Sequence, residues 1–321
     1  MPSASGARMA GCVCLLVIAS TAAERAQEFR GGVEMVALSV TVTDRRGESV
    51  RGLGAEDFAV YEDGVQQPVS LFGSSHVPLD VALVLDTSTS MASVLPVVKQ
   101  GARDLLARLR RGDRATLIDV KRRIEVRQAL SADLPSVAAA VGAAAASGTT
   151  ALYDGVYISL RQFARERRLR PELRRKALVV FSDGIDTASH LGFEEIAELA
   201  RATDVVVYTI TPDHRYHSPL ELGLDRQRVA AWEMRTLTRD TGGLAFFTVK
   251  PEELTQAYDT IARELVNQYA LGYVVPRPEE TRRFRRVSIR LVPPARGLTR
   301  TRAGYAATPG DGAGVGPGHY R

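Results

Sequence analysis

Three short segments of this 321-residue chain place oxygen donors where they could converge. The first is Asp86-Thr87-Ser88-Thr89-Ser90, an acid and two hydroxyls at alternate positions behind an apolar run. The second is Gly148-Thr149-Thr150-Ala151-Leu152-Tyr153-Asp154, which opens a helix. The third, Phe181-Ser182-Asp183-Gly184, again follows an apolar run. Oxygens are the ligands of hard cations. Asp, Ser and Thr are also the preferred helix N-caps, so the first segment taken alone reads equally as a cap.

The elements that must position these donors follow from periodicity. Val81–Leu85, Ala177–Phe181 and Val205–Ile210 are continuous apolar runs of the kind found in strands buried on both faces. Between and around them, helical spacing predicts helices over 92–110, 134–146, 151–167, 193–202, 227–239 and 251–267. Ala115–Val120, Ile124–Val126 and Leu244–Phe247 read as further strands. Repeated strand–helix units imply a Rossmann-like, doubly wound α/β fold with a mostly parallel sheet. In such folds ligands meet the chain at the carboxyl ends of the strands, where the Asp86 and Asp183 loops fall.

The three segments, in this order, resemble the metal-ion-dependent adhesion site of the von Willebrand factor A family. That site uses Asp-x-Ser-x-Ser, then a Thr, then an Asp, and all five positions are filled here over about residues 79–270. The resemblance implies a site of Asp86, Ser88, Ser90, Thr150 and Asp183. Ser88 and Ser90 would coordinate directly, Thr150 directly or through water, and the two acids directly or through coordinated waters. An all-oxygen set suits Mg²⁺ first, with Mn²⁺ or Ca²⁺ as alternatives, over Zn²⁺. Neutral hydroxyls leave the cation under-compensated, so a partner protein's Asp or Glu would complete the octahedron. Related domains often carry a Phe near the end of their second strand; here the run is Leu117-Ile118-Asp119-Val120. Asp119 reads as a polar strand end rather than an outer partner of the metal loops. Tyr153 is expected to pack, and Asp154 to support its helix through the dipole.

The function implied is metal-dependent docking of a protein partner, in an adhesion or scaffold role, and not catalysis. A metal-dependent hydrolase or phosphatase-like enzyme is the competing reading, and a structural module with an unused site a third. No general base or nucleophile accompanies the metal loops in the sequence. There is no Gly-x-Ser-x-Gly elbow or P-loop, and the second Asp of a haloacid-dehalogenase-like loop is missing. Asp213, His214 and His217 bunch in one loop without a fourth ligand, which is weak for zinc.

The flanks are of another kind. Val36, Leu38, Val40 and Val42 alternate with polar residues as in a half-buried strand. Asp57–Tyr61 is a second strand, closed by a Glu62-Asp63-Gly64 hairpin signal, and Val69–Phe72 a third. After Gln268, strands are expected over Tyr269–Val275, Arg285–Leu291 and Thr299–Tyr305. The organisation is therefore an N-terminal β module at 33–75, the α/β domain at 79–270, a C-terminal β segment at 271–306 and a disordered tail at 307–321. Neither flank has enough strands for its own core, so the two are expected to pair, with the α/β domain inserted in a β sandwich. Val42-Thr43-Asp44, Glu56-Asp57-Phe58, Tyr269–Tyr273 and Arg302–Tyr305 together resemble bacterial secreted proteins with a von Willebrand factor A-related domain, common in acidobacteria.

Residues 1–23 have the pattern of a secretory signal: Arg8, a short apolar run from Met9 to Ile18, then small residues. About ten apolar residues are too few for a membrane span, so no stable span is expected after cleavage, and the mature chain would be secreted or periplasmic. Both cysteines, Cys12 and Cys14, lie in this leader and precede most of the apolar run, out of place for a lipoprotein signal. Without them the chain has no disulfide and relies on its core. The net charge is +5 with 25% charged residues, dispersed and mostly arginine, without the basic stripe of a nucleic-acid reader. Its densest run, Arg165 to Lys176, reads as a solvated helix end and loop.

Overall fold

The computed structural model describes residues 33–74, 77–169, 172–212, 224–248, 250–276 and 284–306. The chain divides into two units, 1–32 and 33–321. The leader expected over 1–23 falls in the first and lies outside the described residues, as do the tail from 307 and the loop with Asp213, His214 and His217.

Fourteen strands and six α-helices follow among the described residues. The chain opens with β1 (Val33–Thr43), β2 (Phe58–Glu62), β3 (Val65–Gln67) and β4 (Leu71–Gly73). The central part runs β5 (Leu79–Asp86), α1 (Leu95–Ala107), β6 (Arg114–Val120), β7 (Ile124–Ser131), α2 (Leu134–Ala143) and α3 (Leu152–Leu169). It continues with β8 (Arg175–Phe181), α4 (Phe193–Ala202), β9 (Val205–Pro212), α5 (Leu224–Thr241), β10 (Ala245–Thr248) and α6 (Pro251–Asn267). Last come β11 (Tyr269–Pro276), β12 (Phe284–Leu291), β13 (Leu298–Arg300) and β14 (Gly304–Ala306).

The central sheet has the order β10-β9-β8-β5-β6-β7. All its neighbours are parallel except the edge strand β7, which returns antiparallel on β6. The apolar runs feed both faces. Leu83, Leu85, Leu117 and Phe181 point to α1, α2 and α6, where Val98, Leu105, Val141 and Ile261 meet them. Ala82, Val84, Ile118 and Val180 point to α3, α4 and α5, against Leu152, Val156, Ile196 and Leu237. This is the expected α/β layering, and it leaves β5 and β8 side by side at the centre.

Two helices are shorter than their periodicity suggests. Residues Thr89–Met91 form a 3₁₀ turn, so α1 starts only at Leu95. Helix α2 stops at Ala143 because Ala144 turns extended. The chain is drawn across the sheet end there, since the Ser147 amide donates to the Thr87 carbonyl and the Thr89 amide to the Gly148 carbonyl.

The flanking strands build two four-stranded sheets, β13-β1-β11-β4 and β14-β12-β2-β3, each using strands from both flanks. Strand β1 pairs with β11 from Val33 to Val40 and then with β13, and β2 pairs with β12. Val36, Leu38, Val40 and Val42 bury one face of β1 against Phe58, Val60, Leu271, Val287 and Ile289. Three details differ from the periodicity. The third strand sits at Leu71–Gly73, two residues on. Strand β3 is an exposed Val-Gln-Gln edge with no apolar alternation to announce it. The stretch 299–305 is two strands in different sheets, with residues 301–303 crossing between them.

Gln268 alone links α6 to β11, and a polar network surrounds it. Its amide nitrogen donates to the Tyr208 hydroxyl at 2.8 Å and to Thr41 at 3.3 Å. Tyr208 donates to Glu264, which also takes Arg300 from β13. The end of the Arg165–Lys176 run belongs to this buried framework, which corrects its reading as solvated. Arg174 donates to Asp80 at 2.8 Å, Arg175 to the Leu265 carbonyl at 2.6 Å, and Lys176 to Asp204 at 2.7 Å. At the entry of a central strand a long cationic side chain is covered by neighbouring loops, and burial lowers the Arg175 pKa to about 10.

Candidate metal-ion site

Asp86 is the last residue of β5 and is fully buried. Its Oδ1 accepts the Ser88 amide at 2.9 Å and the Thr150 hydroxyl at 3.4 Å. Its Oδ2 accepts the Ser182 hydroxyl at 2.6 Å. The Ser88 and Ser90 hydroxyls stand 3.0 Å apart. Four of the five anticipated residues are thus linked by direct contacts. The fifth, Asp183, is buried two residues beyond β8 and adds its charge at Asp86. Ser90 is exposed, so the set opens to solvent there.

The loops are held in place by backbone bonds. The Thr150 carbonyl accepts the Thr187 and Ala188 amides, each at 2.9 Å, and its own amide donates to the Thr187 hydroxyl. The Ala151 amide donates to the Lys121 carbonyl at the end of β6. After β8, Asp183 accepts the Ile185 amide at 3.0 Å across a turn in which Gly184 has φ +79°. A side chain in that left-handed conformation is strained, and a Cβ would stand 3.3 Å from that of Ala230. The glycine after the acid is therefore a requirement of the turn.

Asp119 is not the simple polar strand end expected from sequence. It is buried, it accepts the Thr87 hydroxyl, and it is held in turn by Arg127 at 3.0 Å and Lys121 at 3.6 Å. The in-register pairing of β5 with β6 sets Asp119 level with Leu85, so it supports the Asp86–Ser90 loop from behind. Tyr153 packs edge-on against Phe193, and its hydroxyl also donates to Glu233 at 2.6 Å. Asp154 lies in the first turn of α3, where its carboxylate accepts the His190 and Leu191 amides. Its main work is tethering the loop after β8. Asp186 does the same from the other side, accepting the Tyr153, Ala188 and Ser189 amides. Ser182, Thr187 and Asp186 were not singled out from sequence. Ser182 stood beside Asp183 in the motif, but nothing in its type or spacing separates a carboxylate's hydrogen-bond donor from a solvated strand end.

Burial raises the Asp86 pKa to about 6; the Ser182 hydrogen bond opposes the rise and the Asp183 charge adds to it. Among the described residues Asp86 meets hydroxyls and an amide, and no Lys or Arg. A cation among these oxygens would offset both the burial and the repulsion. No cluster of three or more His, Cys, Asp or Glu occurs among the described residues. A metal at these loops would therefore depend on the Ser88, Ser90 and Thr150 hydroxyls as much as on the two acids, a donor set that suits a hard cation.

The family model of the von Willebrand factor type A domain matches residues 80–260, more than half of the chain. Among solved structures, a von Willebrand factor type A protein from Catenulispora acidiphila is similar at 11% identity and TM-score 0.49, over 81% of this chain and 69% of that one. BatB, a conserved hypothetical protein from Bacteroides thetaiotaomicron, is similar at 15% identity and TM-score 0.46, over 58% of this chain and 98% of that one. The vWF domain of the type V pili tip protein Mfa5 from Porphyromonas gingivalis is similar at 13% identity and TM-score 0.45, over 58% and 94%. A search of the curated proteins finds no match.

Proposed function

The chain belongs to the von Willebrand factor type A domain family, and from that premise we propose that it is an exported module that docks a protein partner through a divalent cation. The cation, Mg²⁺ by preference, would be held by Asp86, Ser88, Ser90, Thr150 and Asp183. The observation that carries this reading is the buried Asp86 carboxylate, ringed by hydroxyls from three loops and raised in pKa by burial and by Asp183. A cation so held keeps much of its charge and attracts an external Asp or Glu. The acids around the loops are committed to structural donors: Asp154 and Asp186 to backbone amides, Glu233 to Tyr153. That favours binding over metal-assisted hydrolysis. Export rests on the signal-like pattern of residues 1–23, and no helix of the described residues is long and apolar enough to cross a membrane. The flanks support the more specific likeness to secreted bacterial proteins carrying this domain.

Calorimetric titration with Mg²⁺ should give one site per chain, lost in Asp86→Ala. Capture of partners from the source organism should then fail in chelator. Absence of binding at millimolar Mg²⁺ and Ca²⁺ would sink the reading, and metal-dependent phosphoester turnover lost in Asp86→Ala would replace it with the hydrolase.

A further inference from the structure

A groove of about 400 Å³ runs beside the metal loops along the first turns of α1, lined by Ala92, Leu95, Pro96, Lys99, Arg103 and Ala146. It begins next to the candidate donors. Ala92 is two residues beyond Ser90, and Ala146 precedes Ser147, whose amide is tied to the Thr87 carbonyl. Its volume lies within the range of ligand pockets, roughly 300–1,000 Å³.

The chemistry of the lining is one-sided. Four residues are apolar and two are cationic, and neither cation has a carboxylate partner among the described residues. Lys99 donates to the Ala144 carbonyl at 2.6 Å, which fixes its ammonium and leaves its charge unneutralised. Arg103 is exposed, and its guanidinium lies over Gly142, where a Cβ would meet it at 2.3 Å. Arginines at the buried edges of the fold, such as Arg114, Arg174, Arg201 and Arg300, are paired with acids. Two cations left unpaired over an apolar floor, at the side of a site read as carboxylate-seeking, make one electrostatic surface with it.

We propose that this groove is a second subsite for the partner: it takes the chain next to the metal-bound acid, an apolar residue on the floor and a second Asp or Glu against Lys99 and Arg103. The partner is then an extended acidic peptide segment rather than a lone acidic side chain. This rests on the metal reading above, so the test separates the two. The probes are fluorescent peptides of Ala and Leu carrying one Glu, or two Glu spaced one to four residues apart. Their binding to the full chain is measured by anisotropy in Mg²⁺.

At least one two-Glu peptide is expected to bind tenfold or more tighter than the single-Glu peptide. Arg103→Glu and Lys99→Gln should each reduce that advantage, Arg103→Lys should keep it, and Mg²⁺ titration of all three variants should match the parent. Equal binding of the two peptide classes, or an advantage that survives Arg103→Glu, overturns the subsite while leaving the metal reading intact. Failure of the parent chain to bind Mg²⁺ overturns both.

Discussion

At the scale of single residues, the hydroxyls and acids of the site work through their buried neighbours. Asp119→Ala removes the acceptor of Thr87 and the partner of Arg127 and Lys121. The orphaned polar groups should cost about 1–3 kcal/mol of stability, read by urea unfolding. Losing the support behind the metal loop should weaken Mg²⁺ binding by about tenfold, a typical cost for an outer-shell residue. Unchanged Mg²⁺ affinity would show that Asp119 only fills space. Asp86 itself sets a pH dependence. Folding raises its pKa from 3.8 to about 6 in the metal-free chain. A raised acid contributes stability that is complete below the unfolded value and lost as pH rises through the folded one. Metal-free stability should therefore fall by roughly 2 kcal/mol between pH 4 and pH 7 from this group alone. Mg²⁺ competes with that proton, so the rise in melting temperature produced by Mg²⁺ should be large at pH 7.5 and small at pH 5. Equal rises at both would remove Asp86 from the site.

At the scale of elements, the helix layer over β5 and β8 decides whether the loops stay in place. Helices α1 and α6 approach closely at Gly101, where a Cβ would fall 1.9 Å from the Tyr258 ring. Tyr258 is itself pinned, because its hydroxyl donates to the Val98 carbonyl and its ring packs on Phe181. Gly101→Ala should gain helix propensity and still lose about 1–3 kcal/mol through overpacking. Thermal unfolding checks this, and a stabilised variant would mean that α6 moves away freely. The helices were largely legible because their apolar faces recur with helical period. Their ends were not. The start of α1 and the end of α2 are set by the Thr89–Gly148 and Ser147–Thr87 bonds between loops sixty residues apart, which no local pattern records.

At the scale of the whole molecule, the flanks on either side of the α/β domain meet in the sandwich, and Glu62 is its polar centre. Its carboxylate accepts the hydroxyls of Tyr273 on β11 and Tyr305 on β14, and it pairs with Arg285 on β12. Glu62→Ala would leave a partly buried arginine and two phenols without their acceptor. A loss of about 3–5 kcal/mol is expected for breaking one side of a buried pair, seen as a lower melting temperature of the whole chain. A change below about 1 kcal/mol would show that the apolar core of the sandwich carries it alone. Because α6 passes into β11 through Gln268, with Glu264 and Arg300 bonded across the junction, the sandwich should also brace the α/β domain.

The sequence alone determined the layers and named the candidate donors. Short apolar runs of strand length bounded by loops read as buried strands, and Asp86-x-Ser-x-Ser, Thr150 and Asp183 all fall where such folds expose loops. Alternation in β1 likewise marked a half-buried flank. Only the tertiary structure decided which polar residues serve the site. Asp119 became a support because parallel pairing sets it beside the end of β5, and Ser182 became a donor because β8 lies next to β5. The same holds for Arg175 and Lys176, charged in sequence yet buried at the entry of a central strand. Local patterns record which face of an element is apolar. Which acid meets which hydroxyl depends on strand order and register, and those are set by the packing of the whole chain.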